Sequence, residues 1–163
     1  MFCRLFFYRK GLITIVNYRR LEKADLDRFI ALRIRQLQEE GAKGSCDLVP
    51  LLRDYYQRHW DDRSFVSWIA EENGEIVATS GMSFVEKPPY YENPSGKIGL
   101  LSSVYTKKEY RRRGIAKQLL RLVVEEAKTA GCRAVQITAS AMGMLLYREF
   151  GFVEQQNFMQ LQL

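Results

Sequence analysis

Residues 98–130 constrain the fold more than any other stretch. A β-rich run over 98–105 enters a basic turn. From 114 to 130 the apolar residues Ile115, Leu119, Leu120, Val123 and Ala127 then recur at helical spacing until Gly131 stops them. A strand feeding a long amphipathic helix through a short connection places that helix against the sheet, because its apolar stripe has no other surface to cover. Glu72-Asn73-Gly74 supplies the second constraint. It joins the β-rich runs 64–71 and 75–85, and Asn-Gly between such runs predicts an antiparallel hairpin.

The remaining pattern fills in around these. Residues 12–18 read as a first strand. A helix follows from an N-cap at Asp25, with Leu26, Phe29, Ile30, Ile34 and Leu37 on one face, and stops at Gly41. Asp47 predicts the cap of a second helix reaching His59 or Trp60, with Pro50 in its first turn, where a missing N–H costs nothing. The stretch 86–97 carries three of the four prolines and reads as a long loop. Residues 134–138 read as a buried strand, 143–150 as a short helix stopped by Gly151, and 152–163 as terminal strands. The order is β-α-α-β-β-β-α-β-α-β, a mixed α/β domain with helices on both faces of its sheet.

Composition narrows the function. The 163 residues suit one domain with its own core. We set residues 1–11 apart as an N-terminal extension and assign 12–163 to a single domain. Arg4, Arg9 and Lys10 break the apolar run that a signal peptide or membrane span needs, so neither is expected. A peripheral membrane contact through Phe2, Phe6 and Phe7 is the alternative to a strand or tail packed on the core. Cys3, Cys46 and Cys132 have neither disulfide nor zinc spacing, and His59 is the single histidine, so no metal is expected and a reducing cytoplasm is the natural compartment. A net charge of +6 suits an anionic ligand. No nucleic-acid-binding signature accompanies it, so no nucleic-acid partner is expected.

The turn 104–116, VYTKKEYRRRGIA, carries the chemistry. The first turn of a helix leaves four N–H groups unpaired and bears partial positive charge, which suits a pyrophosphate. Gly114 lets the backbone approach closely, and Ala116 keeps the next turn clear. Arg111, Arg112 and Arg113 oppose the helix dipole, a conflict that an anionic ligand resolves. A solvated charge run is the plain alternative. Neither the Walker pattern nor the three-glycine dinucleotide fingerprint occurs, which disfavours ATP and NAD.

Arg111-Arg112-Arg113-Gly114-Ile115-Ala116 resembles the [QR]-x-x-G-x-[GA] signature of the GNAT superfamily of N-acetyltransferases. Val104-Tyr105-Thr106 looks like the strand segment that meets acetyl-CoA in that family. Downstream, MGMLLYREFGF over 142–152 resembles the family's A-x-x-L-Y-x-x-x-G-F segment, with Gly143 where alanine is usual and Ser140 where many members carry asparagine. The resemblance covers residues 12–163. It implies a largely antiparallel central sheet with a splayed strand pair at the acetyl-CoA site, and acetyl-CoA as cosubstrate. The cosubstrate would be held by Val104, Tyr105, Thr106, the turn Arg111, Arg112, Arg113, Gly114, Ile115 and Ala116, and Ser140.

The implied reaction is direct attack of a primary amine on the thioester. Tyr147 resembles the family's proton donor to the CoA sulfur, and a backbone N–H near Val104 or Tyr105 would serve the oxyanion. The central strand carries no carboxylate, so the general base stays open among a water chain, Glu71, Glu72, Glu86 and Glu92. His59, Tyr55, Tyr56, Trp60, Tyr90 and Tyr91 are candidates to line the acceptor pocket. Cys132 reads as a half-buried thiol without a basic partner, which disfavours a covalent route. The acceptor is a small-molecule or peptide amine, and relatives are often dimers, which leaves a homodimer open. The alternative reading is a non-catalytic CoA-binding or sensing domain of the same fold.

Overall fold

Asn73 and Gly74 both adopt left-handed backbone, φ 52° and 78°, the geometry that a tight hairpin turn demands. The hairpin joins β3, Phe65–Glu72, to β4, Glu75–Glu86, at the middle of the sheet. The structure is a computed structural model describing residues 3–9, 12–156 and 159–163. Among them the sheet has six strands in sequence order: β1, Cys3–Arg9; β2, Leu12–Arg20; β3; β4; β5, Lys97–Thr106; and β6, Ala134–Gln136. Neighbours from β1 to β5 are antiparallel, whereas β6 runs parallel to β5. The connections carry α1, Leu26–Glu39; α2, Leu48–Asp61; α3, Ile115–Thr129; and α4, Met144–Phe150.

Alternation along β3 sorts the core onto two faces. Phe65 and Ile69 pack with Leu26, Phe29 and Ile30 of α1 and Tyr56 of α2. Ala70 and, on β4, Val77 and Ala78 pack with Ile115 and Leu119 of α3. Met82 and Leu101 meet Leu120, Val123 and Ala127 of α3 together with Tyr147 of α4. Helices therefore cover both faces, as the pattern predicts.

Several local expectations change. Asp47 caps α2 by accepting from the Val49 amide at 3.0 Å. Asp25 stands at the cap position of α1, yet its carboxylate makes no cap bond to that helix. It accepts from the Glu22 amide and from Arg19 and Arg28 instead, because a carboxylate that is 2% exposed is better compensated by two guanidiniums than by one amide. Of the stretch 1–11, residues 3–9 form an edge strand on β2. The membrane contact considered for Phe2, Phe6 and Phe7 falls outside the described residues and side chains. The strand over 134–138 is neither buried nor that long: it spans three residues, with Ala134 and Gln136 exposed. The described residues of 152–163 form no strand, and Val153, Met159 and Leu161 are exposed. A three-residue β6 offers too short a ladder to seat a further strand, so β6 stays at the sheet edge. No helix of the described residues is long and apolar enough to cross a membrane.

Candidate active site

The sheet opens beside β5. Its pairing with β6 runs only from Ile98 opposite Ala134 to Leu100 opposite Gln136. From Leu101 to Thr106 that side of β5 has no ladder partner among the described residues, while the chain after β6 leaves through residues 137–143 into α4. This is the splayed strand pair. Thr106 Oγ1 at the end of β5 is buried without a hydrogen-bond partner among the described residues, an orphan suited to a bound polar group.

A bulge shapes the same stretch. Thr79 faces Tyr105 and Gly81 faces Ser102, so three steps along β5 match two along β4. Ser103 absorbs the extra residue with φ 50°, and Thr79 Oγ1 donates to its carbonyl at 2.7 Å. The bulge switches faces. Leu101 and Tyr105, four residues apart, would share a face of a regular strand, yet Leu101 packs toward α3 and Tyr105 toward α1 and α2.

After β5 the chain makes one 3-10 turn, Lys108–Tyr110, and reaches Gly114, which caps α3 with φ 74°. The Gln118 amide returns to the Gly114 carbonyl at 3.1 Å, so the amides of Ile115, Ala116 and Lys117 emerge at the helix end. The three arginines divide. Arg111 donates to Glu39 of α1 at 2.6 Å and to the Thr106 carbonyl at 2.9 Å, and it contacts Met142 Sδ at 3.4 Å. Arg113 donates to the buried Glu72 at 2.6 Å. Arg112, with φ 63°, is the exposed member. The clash with the helix dipole is thus resolved largely by two carboxylates of the protein itself rather than by a ligand alone.

Tyr147 on α4 is 6% exposed and packs in the cluster that holds Leu101, with Val104 and Leu146 against it. Burial, aided by the negative charge of Glu40, pushes its phenol up to about 12. No described residue hydrogen-bonds its hydroxyl. Gly143 explains the departure from alanine, since a Cβ there would lie 2.7 Å from Cε2 of Tyr147. The half-buried Ser140 accepts the Gly143 amide at 2.9 Å through its carbonyl, closing the turn into α4.

The acids considered from sequence are spoken for or remote. Glu71 pairs with Arg19 at 2.7 Å, Glu72 with Arg113, and Glu86 faces Lys97 at the far end of β4. Glu92 is exposed on the 86–97 loop. His59 hydrogen-bonds Ser64 through Nδ1 and stacks 4.2 Å from Tyr55, a structural role at the end of α2. Tyr56 packs in the core and, with Trp60, also borders a surface hollow beside Lys23 and Asp61, while the fully exposed Tyr91 borders another with Tyr90 and Pro94. Burial pushes the Cys132 thiol up, away from nucleophile chemistry.

Two residues at this end of the molecule escaped the sequence reading. Glu39 accepts from Tyr105 at 2.8 Å and from Arg111, and with Arg35 these hold its carboxyl down at about 2. Glu40, which accepts from Gln36 at 3.1 Å, is the acid whose charge reaches Tyr147. Nothing in the sequence distinguishes either from the other charges of α1.

The model of the Acetyltransferase (GNAT) family matches residues 31–152, and the chain belongs to that family. It is 30% identical over 147 residues to a probable glucosamine 6-phosphate N-acetyltransferase 2 of Oryza sativa subsp. japonica, covering 86% of this chain and 83% of that one. N-acetyltransferase 8 of Rattus norvegicus is 31% identical over 105 residues, 62% of this chain; the match spans 45% of the rat protein, under half its length. Among solved structures, a predicted acetyltransferase of Clostridium acetobutylicum with acetyl-CoA superposes with TM-score 0.87 at 33% identity, covering 90% of this chain and 96% of that one.

Proposed function

We propose that this protein is an acetyl-CoA-dependent N-acetyltransferase, its catalytic domain assigned to residues 12–163 with the extension 1–11 adding the edge strand β1 to the same sheet, that transfers acetyl to a primary amine by direct attack on the thioester. One observation carries the reading: beyond its pairing with β6, β5 packs through Leu101 and Val104 with the buried Tyr147 and leads on to the open amides at the Gly114 cap of α3. The acetyl-CoA in the Clostridium acetobutylicum relative supports the same cosubstrate here.

In this reading the amides of residues 112–116 bind the pyrophosphate, since the Arg111 amide already donates to the Lys108 carbonyl at 3.3 Å, and Arg112 adds the exposed charge. The unpaired edge of β5 around Val104, Tyr105 and Thr106 pairs with the pantetheine arm, and Ser140 borders it. The amine nitrogen bonds to the carbonyl carbon, and the C–S bond breaks as the oxyanion collapses. A backbone amide at the bulge holds the oxyanion. Tyr147 donates to the departing sulfur and recovers its proton from the one the amine sheds, so the products are the amide and free CoA thiol. A phenol pushed up to about 12 stays protonated at neutral pH, as a donor must.

The test is amine-dependent release of CoA thiol from acetyl-CoA, measured across small amines, amino sugars and peptides, for wild type and Tyr147→Phe. Release that needs the amine and falls in the variant supports transfer. Acetyl-CoA binding without amine-dependent release makes the chain a CoA-binding domain.

A further inference from the structure

The bulge in β5 is held from outside the sheet. Ser103 is 2% exposed and sits in left-handed backbone without being glycine, a conformation that persists only where its surroundings impose it. Thr79 grips its carbonyl at 2.7 Å, and the hydroxyl of Tyr56 lies 3.1 Å from its Oγ. Tyr56 comes from α2, 47 residues away in sequence, and its ring is wedged 5.0 Å from both Phe29 and Phe65, so the hydroxyl has little freedom to follow a moving strand. The hydrogen bond spans the core from α2 to the one residue of β5 that switches the strand's faces.

We infer that Tyr56 is a positioning residue for the acyl group: through Ser103 it fixes the β5 bulge that aims the backbone amides of Ser103 and Val104 at the thioester carbonyl. This rests on the acetyl-CoA reading above and adds to it a dependence on α2. Tyr56 touches neither cosubstrate nor amine. Its loss leaves the α3 cap and the Tyr147 pocket in place while the bulge relaxes toward regular strand, which turns the amides away. Glycine at 103 adopts a positive φ without strain, so it holds the bulge with no help from Tyr56.

The probe is acetyl-CoA carrying carbon-13 at its carbonyl, read by NMR in complex with the full chain, with affinity for acyl-free CoA measured alongside. Wild type is expected to move the carbonyl resonance downfield of free acetyl-CoA. Tyr56→Phe loses most of that displacement at unchanged CoA affinity, and Tyr56→Phe/Ser103→Gly regains it. A Tyr56→Phe protein with the wild-type resonance overturns the inference. So does one whose CoA affinity falls together with the resonance, since Tyr56 would then only stabilise the fold. A bound wild-type complex with an undisplaced carbonyl also overturns it and leaves the cosubstrate reading standing. Wild type that binds neither acetyl-CoA nor CoA overturns that reading instead.

Discussion

Gly114→Glu separates the phosphate-binding turn from the rest of the fold. Gly114 holds φ 74°, and a Cβ built on it meets no heavy atom within 4 Å. The fold therefore loses only the cost of a left-handed non-glycine residue, about 1–2 kcal/mol. In a domain of this size that lowers Tm by roughly 2–8 °C. The added carboxylate is far more damaging to an anionic ligand: at about 4 Å and an effective dielectric near 20, two unit charges repel by about 4 kcal/mol, close to a thousandfold in affinity. Wild type at acetyl-CoA one hundredfold above its Kd gains about 2.7 kcal/mol, which raises Tm by roughly 5–11 °C. The variant at the same concentration gains nothing measurable. Gly114→Asn, which tolerates positive φ and adds no charge, shows an intermediate rise. Thermal unfolding with and without acetyl-CoA decides it. A Gly114→Glu protein that rises as much as wild type refutes the assignment of this turn.

The other predictions follow from partners seen in the structure. Tyr147→Phe is expected to lower kcat by about a hundredfold with little change in Tm, because the hydroxyl serves the reaction and no described residue. With the phenol at about 12, the wild-type kcat profile has no alkaline limb from this group below pH 10, a point checked by the same assay across pH. Asp25 is held down to about 2 by its bonds to Arg19 and the Glu22 amide, against an ordinary 3.8. Its charge therefore stabilises the fold above pH 4, and that gain is lost as pH falls from 4 to 2. Asp25→Asn is expected to cost on the order of 2 kcal/mol at pH 7 in urea unfolding, with the gap to wild type closing toward pH 2. Arg113→Ala strips the guanidinium from buried Glu72 and lowers Tm by several degrees. Arg112→Ala leaves Tm alone and weakens acetyl-CoA and CoA equally, an effect that fades with added salt.

What the sequence made legible was local. The stripe Ile115, Leu119, Leu120, Val123 and Ala127 is buried as its spacing requires, and Asn73-Gly74 turns the hairpin it announces. The cofactor turn could be read because its chemistry depends on consecutive residues. The long-range pairings could not. Arg111 and Arg113 look alike as neighbours of Arg112, and only the fold brings Glu39, 72 residues away, and Glu72, 41 residues away, to neutralise them. The bulge is equally silent: Leu101-Ser102-Ser103-Val104-Tyr105 reads as ordinary strand, because the face switch at Ser103 is set by Thr79 and Tyr56 from other elements. The terminal stretch misled for the opposite reason. Its apolar residues suggest strands, but pairing needs a neighbouring edge, and β6 supplies three residues.

The structure of the protein with acetyl-CoA bound tests the central claim most directly. The account predicts the pyrophosphate on the amides that follow Arg111, and the thioester in the opening beside β5, with its sulfur within about 3.5 Å of the Tyr147 hydroxyl. A cosubstrate seated elsewhere, or a sulfur out of reach of Tyr147 with the cleft filled by side chains, would contradict it.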